Sequence, residues 1–192
     1  MEENAIKKVV TIGGSAGSLD IILNVLTSFP VDSGAVVIVV VHRKNDADSI
    51  LADLIAARTK IPVKDAEDKD PILPGHIYLA PPNYHLLIEN NMHFSLDASE
   101  KIHFSRPSID VTFESIAEMF GDKVIGILVS GANADGALGL KAIQQAGGLT
   151  IAQEPTTAEV DYMPKQAIAI GAADKILTSE QIIETLKEEL KK

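Results

Sequence analysis

The segment Val9-Val10-Thr11-Ile12-Gly13-Gly14-Ser15-Ala16-Gly17 runs from four strand-forming residues into a glycine-rich turn. Its first half predicts a buried strand. A helical pattern follows directly, with apolar side chains three or four positions apart at Leu19, Ile22, Leu23 and Leu26. A serine bracketed by glycines between a strand and a helix lies on a sharp turn, with its hydroxyl exposed and helix N–H groups nearby. This geometry suits an oxygen nucleophile beside an anion-binding pocket.

The same alternation of strand and helix continues along most of the chain. Unbroken apolar runs, typical of strands buried on both faces of a parallel sheet, occur at residues 9–12, 35–41, 124–129, 149–152 and 175–177. Helical patterns occur at residues 18–28, 48–57, 109–120, 137–146 and 179–190. We therefore predict a single α/β domain over residues 1–192. It is doubly wound and Rossmann-like, with a mostly parallel sheet and helices on both faces.

The middle of the chain departs from this alternation. Residues 61–103 are rich in proline and contain two short strand-like segments, 85–88 and 92–96, on either side of Asn90-Asn91. This pattern predicts an antiparallel hairpin near one edge of the sheet.

Composition argues against several classes of function. The chain carries 17 basic and 27 acidic residues, and its net charge of −10 would repel the phosphates of nucleic acids and anionic membranes. No apolar run approaches the ~18 residues of a membrane span, and the acidic start of the chain is unlike a signal peptide. The absence of cysteine predicts a cytoplasmic protein without disulfides or thiol nucleophiles. No histidine pair has metal-site spacing, so we expect no metal and no cofactor.

Three polar residues fall just beyond predicted parallel strands. Ser15 follows the first strand, His42 follows the strand at 35–41, and Asp135 lies in the loop after the strand at 124–129. Ligands bind beyond the carboxyl ends of such strands, which are ~4.8 Å apart, so these side chains can meet. A neutral imidazole activates a serine hydroxyl, and a carboxylate orients the imidazole. The three residues therefore predict a hydrolytic serine.

Each residue also has an ordinary structural interpretation when it is taken alone. The glycines could serve close packing or a phosphate-binding turn, His42 could be a structural residue, and Asp135 could cap the helix that follows it. A nucleotide enzyme is disfavoured because the turn lacks the last glycine of G-x-G-x-x-G. The acidic residue expected about 20 positions later is also not at a strand end. The joint placement of the three residues favours catalysis.

Several segments match one known family in their order and spacing. They are Ile12-Gly13-Gly14-Ser15-Ala16-Gly17, Val41-His42, Tyr78-Leu79-Ala80-Pro81-Pro82-Asn83-Tyr84-His85, Arg106-Pro107-Ser108-Ile109-Asp110, the loop 130–136, Ala152-Gln153-Glu154 and Met163-Pro164. Over essentially its whole length the chain resembles the catalytic domain of CheB-type protein-glutamate methylesterases. Because only 12 residues precede the glycine-rich turn, we expect no receiver domain of the kind that the chemotaxis enzymes carry.

The resemblance implies a role for each of the three residues. Ser15 is the implied nucleophile, His42 the general base and acid, and Asp135 the carboxylate that orients the imidazole. The implied reaction is hydrolysis of γ-glutamyl methyl esters on chemoreceptor cytoplasmic helices, with release of methanol, and deamidation of receptor glutamine is a second family activity. Methylated receptor helices are therefore the implied partners, without nucleic acid or membrane insertion. The chain order Ser, His, Asp differs from the Ser, Asp, His of α/β-hydrolases.

An oxyanion formed on the substrate needs preorganised hydrogen-bond donors, and losing one such donor typically costs ~10²–10³ in rate. The candidate donors are the backbone N–H groups of Ala16, Gly14 and Ala132. Arg106 is a further candidate for contact with the substrate.

The chain departs from the usual family pattern at Ala16, Ser18, Ala132 and Asn133. These departures and the expected lack of a receiver domain motivate an alternative function. In that alternative, the fold is a catalytically idle adaptor that docks a methyltransferase or a sensory kinase. For catalysis on a glutamate-rich helix, the net negative charge would be offset by a basic rim formed by Arg43, Lys44 and Arg106.

Overall fold

The computed structural model describes residues 6–43 and 50–191. Nine strands are present in this part of the chain: β1 (Val9–Gly14), β2 (Val36–Val41), β3 (Val63–Asp65), β4 (Ile77–Leu79), β5 (His85–Ile88), β6 (Phe94–Asp97), β7 (Val124–Leu128), β8 (Leu149–Gln153) and β9 (Lys175–Leu177). Seven of them form one sheet in the order β3-β4-β2-β1-β7-β8-β9, and every neighbouring pair is parallel.

Six α-helices accompany the strands: α1 (Leu19–Thr27), α2 (Ile50–Ala56), α3 (Ile109–Phe120), α4 (Ala137–Gln145), α5 (Tyr162–Ala169) and α6 (Ser179–Glu189). None of these helices, within the residues described, is long and apolar enough to cross a membrane.

The central sheet has a hydrophobic core on each face because side chains alternate along its strands. In β2, Val36, Ile38 and Val40 pack into one core, whereas Val37 and Val39 pack into the other. Helices α3, α4 and α5 cover the first core, and helices α1, α2 and α6 cover the second. This arrangement confirms the doubly wound α/β fold.

The predicted parallel strands and helices are present with bounds that differ by a few residues at most, and residues 48 and 49 of the second predicted helix lie outside the described chain. The prediction missed β3, β4 and α5. Strands β3 and β4 have three residues each and lie in the proline-rich region, so neither shows the long apolar run that reveals a central strand.

The predicted hairpin forms a two-stranded sheet of its own, β5 with β6, instead of joining the central sheet. Leu86 and Phe94 of this hairpin share a core with Phe113 and Ile116 of α3. Its second strand starts at Phe94 because Met92, with φ of 62°, belongs to the turn. The hairpin therefore packs against α3 from outside the central sheet.

Candidate active site

The glycine-rich turn holds Ser15 at the carboxyl end of β1. The Ser15 N–H donates to the Ser130 carbonyl oxygen at 2.9 Å, and the Ser18 N–H donates to the Ser15 carbonyl oxygen at 3.1 Å. Gly17 has φ of 73°, the left-handed value that the third residue of a type II turn requires. A Cβ atom at Gly17 would lie 2.6 Å from Glu159 Cβ, so a glycine is needed there.

His42 lies between Ser15 and Asp135 and contacts both. Its Nδ1 atom is 3.1 Å from Ser15 Oγ, and its Nε2 atom is 2.7 Å from Asp135 Oδ2. Since an ionised carboxylate only accepts hydrogen bonds, Nε2 carries the proton and Nδ1 accepts from the Ser15 hydroxyl. We name these side chains the Ser15–His42–Asp135 relay. The convergence predicted from the strand ends is present.

The strand order explains which ring nitrogen faces which partner. In the serine-protease template the serine faces Nε2 and the aspartate faces Nδ1, the reverse of the arrangement here. Here β1 lies between β2 and β7, so His42 and Asp135 follow strands about 10 Å apart, on either side of the strand that leads to Ser15. The nitrogen nearer the His42 backbone therefore meets Ser15, and only the far nitrogen reaches Asp135.

Asp135 is fully buried and accepts four hydrogen bonds. One comes from His42, and three come from the start of α3: the Ser108 hydroxyl at 2.8 Å, the Ile109 N–H at 2.7 Å and the Asp110 N–H at 3.0 Å. Burial raises the pKa of the Asp135 carboxyl, but these hydrogen bonds outweigh burial and hold that pKa below its ordinary value of 3.8. The carboxylate therefore stays ionised beside the imidazole.

The interpretation of Asp135 as a cap of the following helix is wrong, because its carboxylate bonds the start of α3 rather than the start of α4. The start of α4 instead donates to Asp110 of α3, from the Gly136 N–H at 2.8 Å and the Gly139 N–H at 2.7 Å. The two helices thus exchange aspartates, each carboxylate lying at the positive end of the other helix. This exchange couples the position of Asp135 to the packing of α3 on α4.

Two of the candidate oxyanion donors are available. Within residues 6–43 and 50–191, neither the Ala16 N–H nor the Ala132 N–H donates to a protein acceptor, and both residues line the cleft beside Ser15. Gly14 is instead buried within β1, where it pairs with Val41. A Cβ atom at Gly14 would lie 2.6 Å from the Ser18 side chain, so this glycine is needed for close packing, and its N–H as an oxyanion donor stays a prediction.

The cleft in front of the relay has a volume of about 820 Å³ and contains Ser15 and His42 in its wall. Among the described residues that line it, Arg43, Lys101 and Arg106 are basic and none is acidic. The described lining of the cleft therefore differs in charge from the protein as a whole, whose net charge is −10.

Comparison with known proteins identifies the family. The family model described as CheB methylesterase matches residues 10–186. The chain belongs to the CheB methylesterase family. A relative from Leptospira interrogans, provisionally named protein-glutamate methylesterase/protein-glutamine glutaminase, is 42% identical over 177 residues, which are 92% of this chain and 92% of the relative.

Other CheB methylesterase relatives are longer. The protein-glutamate methylesterase/protein-glutamine glutaminase of Bordetella pertussis is 38% identical over 184 residues, which are 94% of this chain but 52% of that protein. The crystal structure of the Thermotoga maritima CheB methylesterase catalytic domain matches with a TM-score of 0.91 and 33% identity. That match covers 96% of this chain and 99% of the other. The chain therefore spans about half of the Bordetella protein and matches nearly the whole Thermotoga catalytic domain.

The basic rim of this CheB methylesterase domain differs from the predicted one at Arg43. The Arg43 Nη2 atom donates to Asp65 Oδ1 at 2.6 Å and to the Ala80 carbonyl oxygen at 2.7 Å. Only 6% of the Arg43 side chain is exposed, so its charge is compensated by Asp65 and not offered to a ligand. Lys44, the second predicted member of the rim, lies outside the described residues.

Arg106 lines the cleft as predicted, and it also supports the rim. Its Nη1 atom donates to the carbonyl oxygens of Ala98 and Ser99, at 2.7 and 2.5 Å. These bonds fasten the segment that leads into Lys101, a basic cleft residue that the sequence analysis missed. The observed rim therefore consists of Arg106 with Lys101.

One group of side chains has donor atoms close enough to bind a metal ion. One ligand atom from each of His103, Asp110 and Asp135 lies within 4.8 Å of the others. Both carboxylates already accept several hydrogen bonds from the starts of α3 and α4. The donor set therefore does not favour a metal, and the prediction of no metal site stays a prediction.

Sequence reasoning missed the residues that hold the relay in position. Ser108 bonds Asp135, and Ser108 itself is held through its N–H, which donates to Nδ1 of the buried His85 at 3.1 Å. His85 Nε2 bonds the Glu100 carbonyl oxygen at 2.8 Å, which fixes its ring. The sequence places His85 on a predicted strand and Ser108 just before a predicted helix, and neither position by itself predicts a contact with the neighbourhood of Asp135.

The Asp110 carboxyl should make the free energy of unfolding fall as pH rises, which is the opposite of the dependence expected from the Asp135 carboxyl. Burial, followed by the nearby charge of Asp135, raises the pKa of the Asp110 carboxyl from 3.8 to about 6. Between these values the folded protein binds a proton that the unfolded chain has released, so stability falls as pH rises. We expect acidification from pH 7.5 to pH 5 to stabilise the wild type more than Asp110→Asn, whose amide oxygen can still accept from Gly136 and Gly139.

Urea unfolding of both proteins at the two pH values measures this difference. The difference between the two proteins in the change of unfolding free energy with pH reports the titration of Asp110 together with its coupling to the charged groups beside it. An identical change in wild type and Asp110→Asn would contradict the prediction.

Proposed function

We propose that this chain hydrolyses γ-methyl esters of glutamate on the cytoplasmic helices of chemoreceptor-type signalling proteins, with Ser15 as nucleophile. The observation that carries the proposal is the hydrogen-bonded relay, in which Ser15 Oγ lies 3.1 Å from His42 Nδ1 and His42 Nε2 lies 2.7 Å from buried Asp135. The names of the relatives from Leptospira and Bordetella support the same reaction class.

In the first half of the reaction, Ser15 Oγ attacks the ester carbonyl carbon while its proton moves to His42 Nδ1. Asp135 stabilises the imidazolium through Nε2. The tetrahedral intermediate collapses when the Nδ1 proton passes to the methoxide oxygen. Methanol leaves, and the glutamyl group stays bound to Ser15 as an acyl-enzyme.

In the second half, water takes the position that methanol has left. His42 Nδ1 removes a proton from this water, the resulting hydroxide attacks the acyl carbon, and the proton then returns to Ser15 Oγ. The products are the free glutamate side chain and the starting enzyme. A glutamine side chain would follow the same steps with ammonia as the leaving group, so deamidation forms part of the proposal.

The oxyanion of both tetrahedral intermediates would accept from the N–H groups of Ala16 and Ala132. Both groups lie beside Ser15 in the cleft and donate to no acceptor elsewhere in the part of the chain that the structure describes. Ser130 holds the turn that carries the Ala16 N–H, because its hydroxyl donates to the Ala16 carbonyl oxygen at 2.7 Å and accepts from the Val160 N–H at 2.9 Å. Ser130 is therefore a positioning residue for the Ser15 turn.

Ser130→Ala should lower both stability and rate. Removal of the fully buried hydroxyl leaves the Ala16 carbonyl and the Val160 N–H without a partner, which costs about 1–3 kcal/mol of unfolding free energy. The Ala16 N–H remains but is held less firmly, so kcat should fall by less than the ~100-fold cost of losing an oxyanion donor. Urea unfolding and methanol release measure the two effects.

Ser33→Ala is the matched control for this variant. The Ser33 hydroxyl likewise donates to a backbone carbonyl, that of Pro30 at 2.9 Å, and accepts from the Ala35 N–H at 3.3 Å. Ser33 precedes β2 and so lies at the amino ends of the parallel strands, whereas the relay lies at their carboxyl ends. A fall in kcat for Ser33→Ala as large as that for Ser130→Ala would refute a specific role of Ser130.

The decisive experiment incubates the protein with a chemoreceptor cytoplasmic fragment carrying labelled methyl esters and counts the methanol released. We expect multiple turnovers per enzyme molecule. A folded protein that binds the fragment but releases no methanol would support the adaptor alternative instead. Release of ammonia from an unmodified fragment that carries glutamine tests the deamidase part separately.

A further inference from the structure

An exposed phenylalanine stands at the rim of the cleft. Phe104 is 97% exposed, although phenylalanine is a residue that folding normally buries. Phe104 lines the cleft together with Lys101 and Arg106, so this exposed side chain lies beside the relay. The phenylalanine at this position does not contribute to the hydrophobic core. A ligand bound in the cleft would cover its exposed ring.

The backbone that presents Phe104 is strained. Ile102 and Ser105 exchange two backbone hydrogen bonds, of 3.1 and 2.8 Å, around a two-residue turn. Its central residues, His103 and Phe104, have φ of 48° and 62°. Such turns normally use Asn-Gly or Asp-Gly because positive φ is unfavourable for residues with large side chains. Strain of this kind is characteristic of ligand-binding and other functional segments.

The turn is anchored to the same residues that organise the relay. The His103 Nε2 atom lies 3.5 Å from Asp110 Oδ2, and the His103 carbonyl oxygen lies 3.5 Å from Asn133 Nδ2 in the loop before Asp135. Arg106 holds the other end of the segment through the Ala98 carbonyl oxygen. The turn is therefore held in place relative to the relay, as an anchor for substrate requires.

We infer that Phe104 is a docking anchor for the protein substrate: it inserts between apolar side chains of an acidic helical segment next to the esterified glutamate. The inference rests on the proposed function and names how the substrate is recognised. The described lining of the cleft contains Lys101 and Arg106 and no carboxylate, which matches a helix whose unmodified glutamates flank the ester. Aromatic side chains, phenylalanine among them, and arginine are enriched in protein interfaces relative to the rest of the surface.

The test compares Phe104→Ala on two substrates, a methylated chemoreceptor cytoplasmic fragment and a small N-acetylglutamate γ-methyl ester. The small ester reaches the relay without covering the rim. We expect kcat/KM on the fragment to fall about 30-fold, mainly through KM, as for loss of an aromatic hot spot. We expect kcat/KM on the small ester to change less than twofold, and Phe104→Leu to recover part of the loss.

Ile176→Ala is the matched control, because Ile176 is 44% exposed on β9 at the far end of the strand order and does not line the cleft. It should leave both substrates unaffected. An unchanged kcat/KM of Phe104→Ala on the fragment would overturn the inference. An equal fall on both substrates would also overturn it, because the turn would then support the chemistry instead of docking.

A binding measurement separates this inference from the proposed function. In the Ser15→Ala background, Phe104→Ala should weaken the affinity for the methylated fragment by a similar factor, whether or not the wild type is an esterase. Equal affinity with and without Phe104 would overturn the inference by itself. A wild-type dimer in sedimentation that Phe104→Ala converts to a monomer would assign the anchor to a second copy of the chain, and would also overturn it.

Discussion

Ser15→Ala should reduce methanol release by about 10⁶-fold, the loss that removal of a serine nucleophile typically produces. The Ser15 hydroxyl contacts only His42 Nδ1 among the described side chains, so its removal deletes the nucleophile without exposing a buried partner. The turn itself depends on the Ser15 N–H and carbonyl groups, which alanine retains. We therefore expect an unchanged melting temperature together with an inactive protein.

Ser179→Ala provides the control, because it removes a hydroxyl at the start of α6, outside the cleft, and should retain full activity. A fluorophosphonate should label the wild type at Ser15 alone, as read by peptide mass, and should not label Ser15→Ala. Equal methanol release by wild type and Ser15→Ala would exclude serine catalysis.

Asp135→Asn should lower kcat by about 10⁴-fold, as expected when a histidine loses the carboxylate that sets its tautomer. All four groups that face Asp135 are donors, from His42, Ser108, Ile109 and Asp110. An asparagine amide must turn its NH₂ group towards some of these donors. If His42 Nε2 loses its acceptor, the imidazole proton moves to Nδ1. The protonated Nδ1 atom can then no longer accept the proton of the Ser15 hydroxyl.

Asp135→Asn should also destabilise the domain, because each buried donor left unpaired costs about 1–3 kcal/mol. Asp174→Asn is the matched control: its carboxylate accepts from the Thr150 N–H at 3.0 Å and from Gln144 Nε2 at 2.7 Å, near the opposite end of β8 from the cleft. Asp174→Asn should lose stability and keep its kcat. If Asp135→Asn kept at least a tenth of the wild-type kcat, the proposed role of Asp135 would be wrong.

Much of the fold was predictable because central parallel strands are continuous apolar runs that end in polar residues. The strands that end near Ser15, His42 and Asp135 have this form, so their shared edge followed from the α/β pattern alone. The orientation of the imidazole did not follow. It depends on β1 lying between β2 and β7, and the order of strands in a sheet is a long-range property that local periodicity does not encode.

The residues that hold Asp135 in position could not be predicted either, because their contacts with Asp135 are also long-range. Ser108 and Asp110 read locally as an ordinary helix start, and their contact with a loop about 25 residues later arises only when α3 packs against α4. Phe104 gave no signal because a turn with positive φ at His103 and Phe104 lacks the glycine or asparagine that normally announces it.

The imidazole that spans the nucleophile's strand is tethered at Nε2 by buried Asp135, which has a chemical consequence. In the proposed reaction only Nδ1 is free to exchange protons, so the departing alcohol and the incoming water would both have to contact this one nitrogen. Methanol that stayed beside Nδ1 would reverse the proposed acylation, and turnover would then depend on how quickly the product diffuses away. Rapid loss of methanol, a small alcohol, would therefore favour turnover in the proposed reaction.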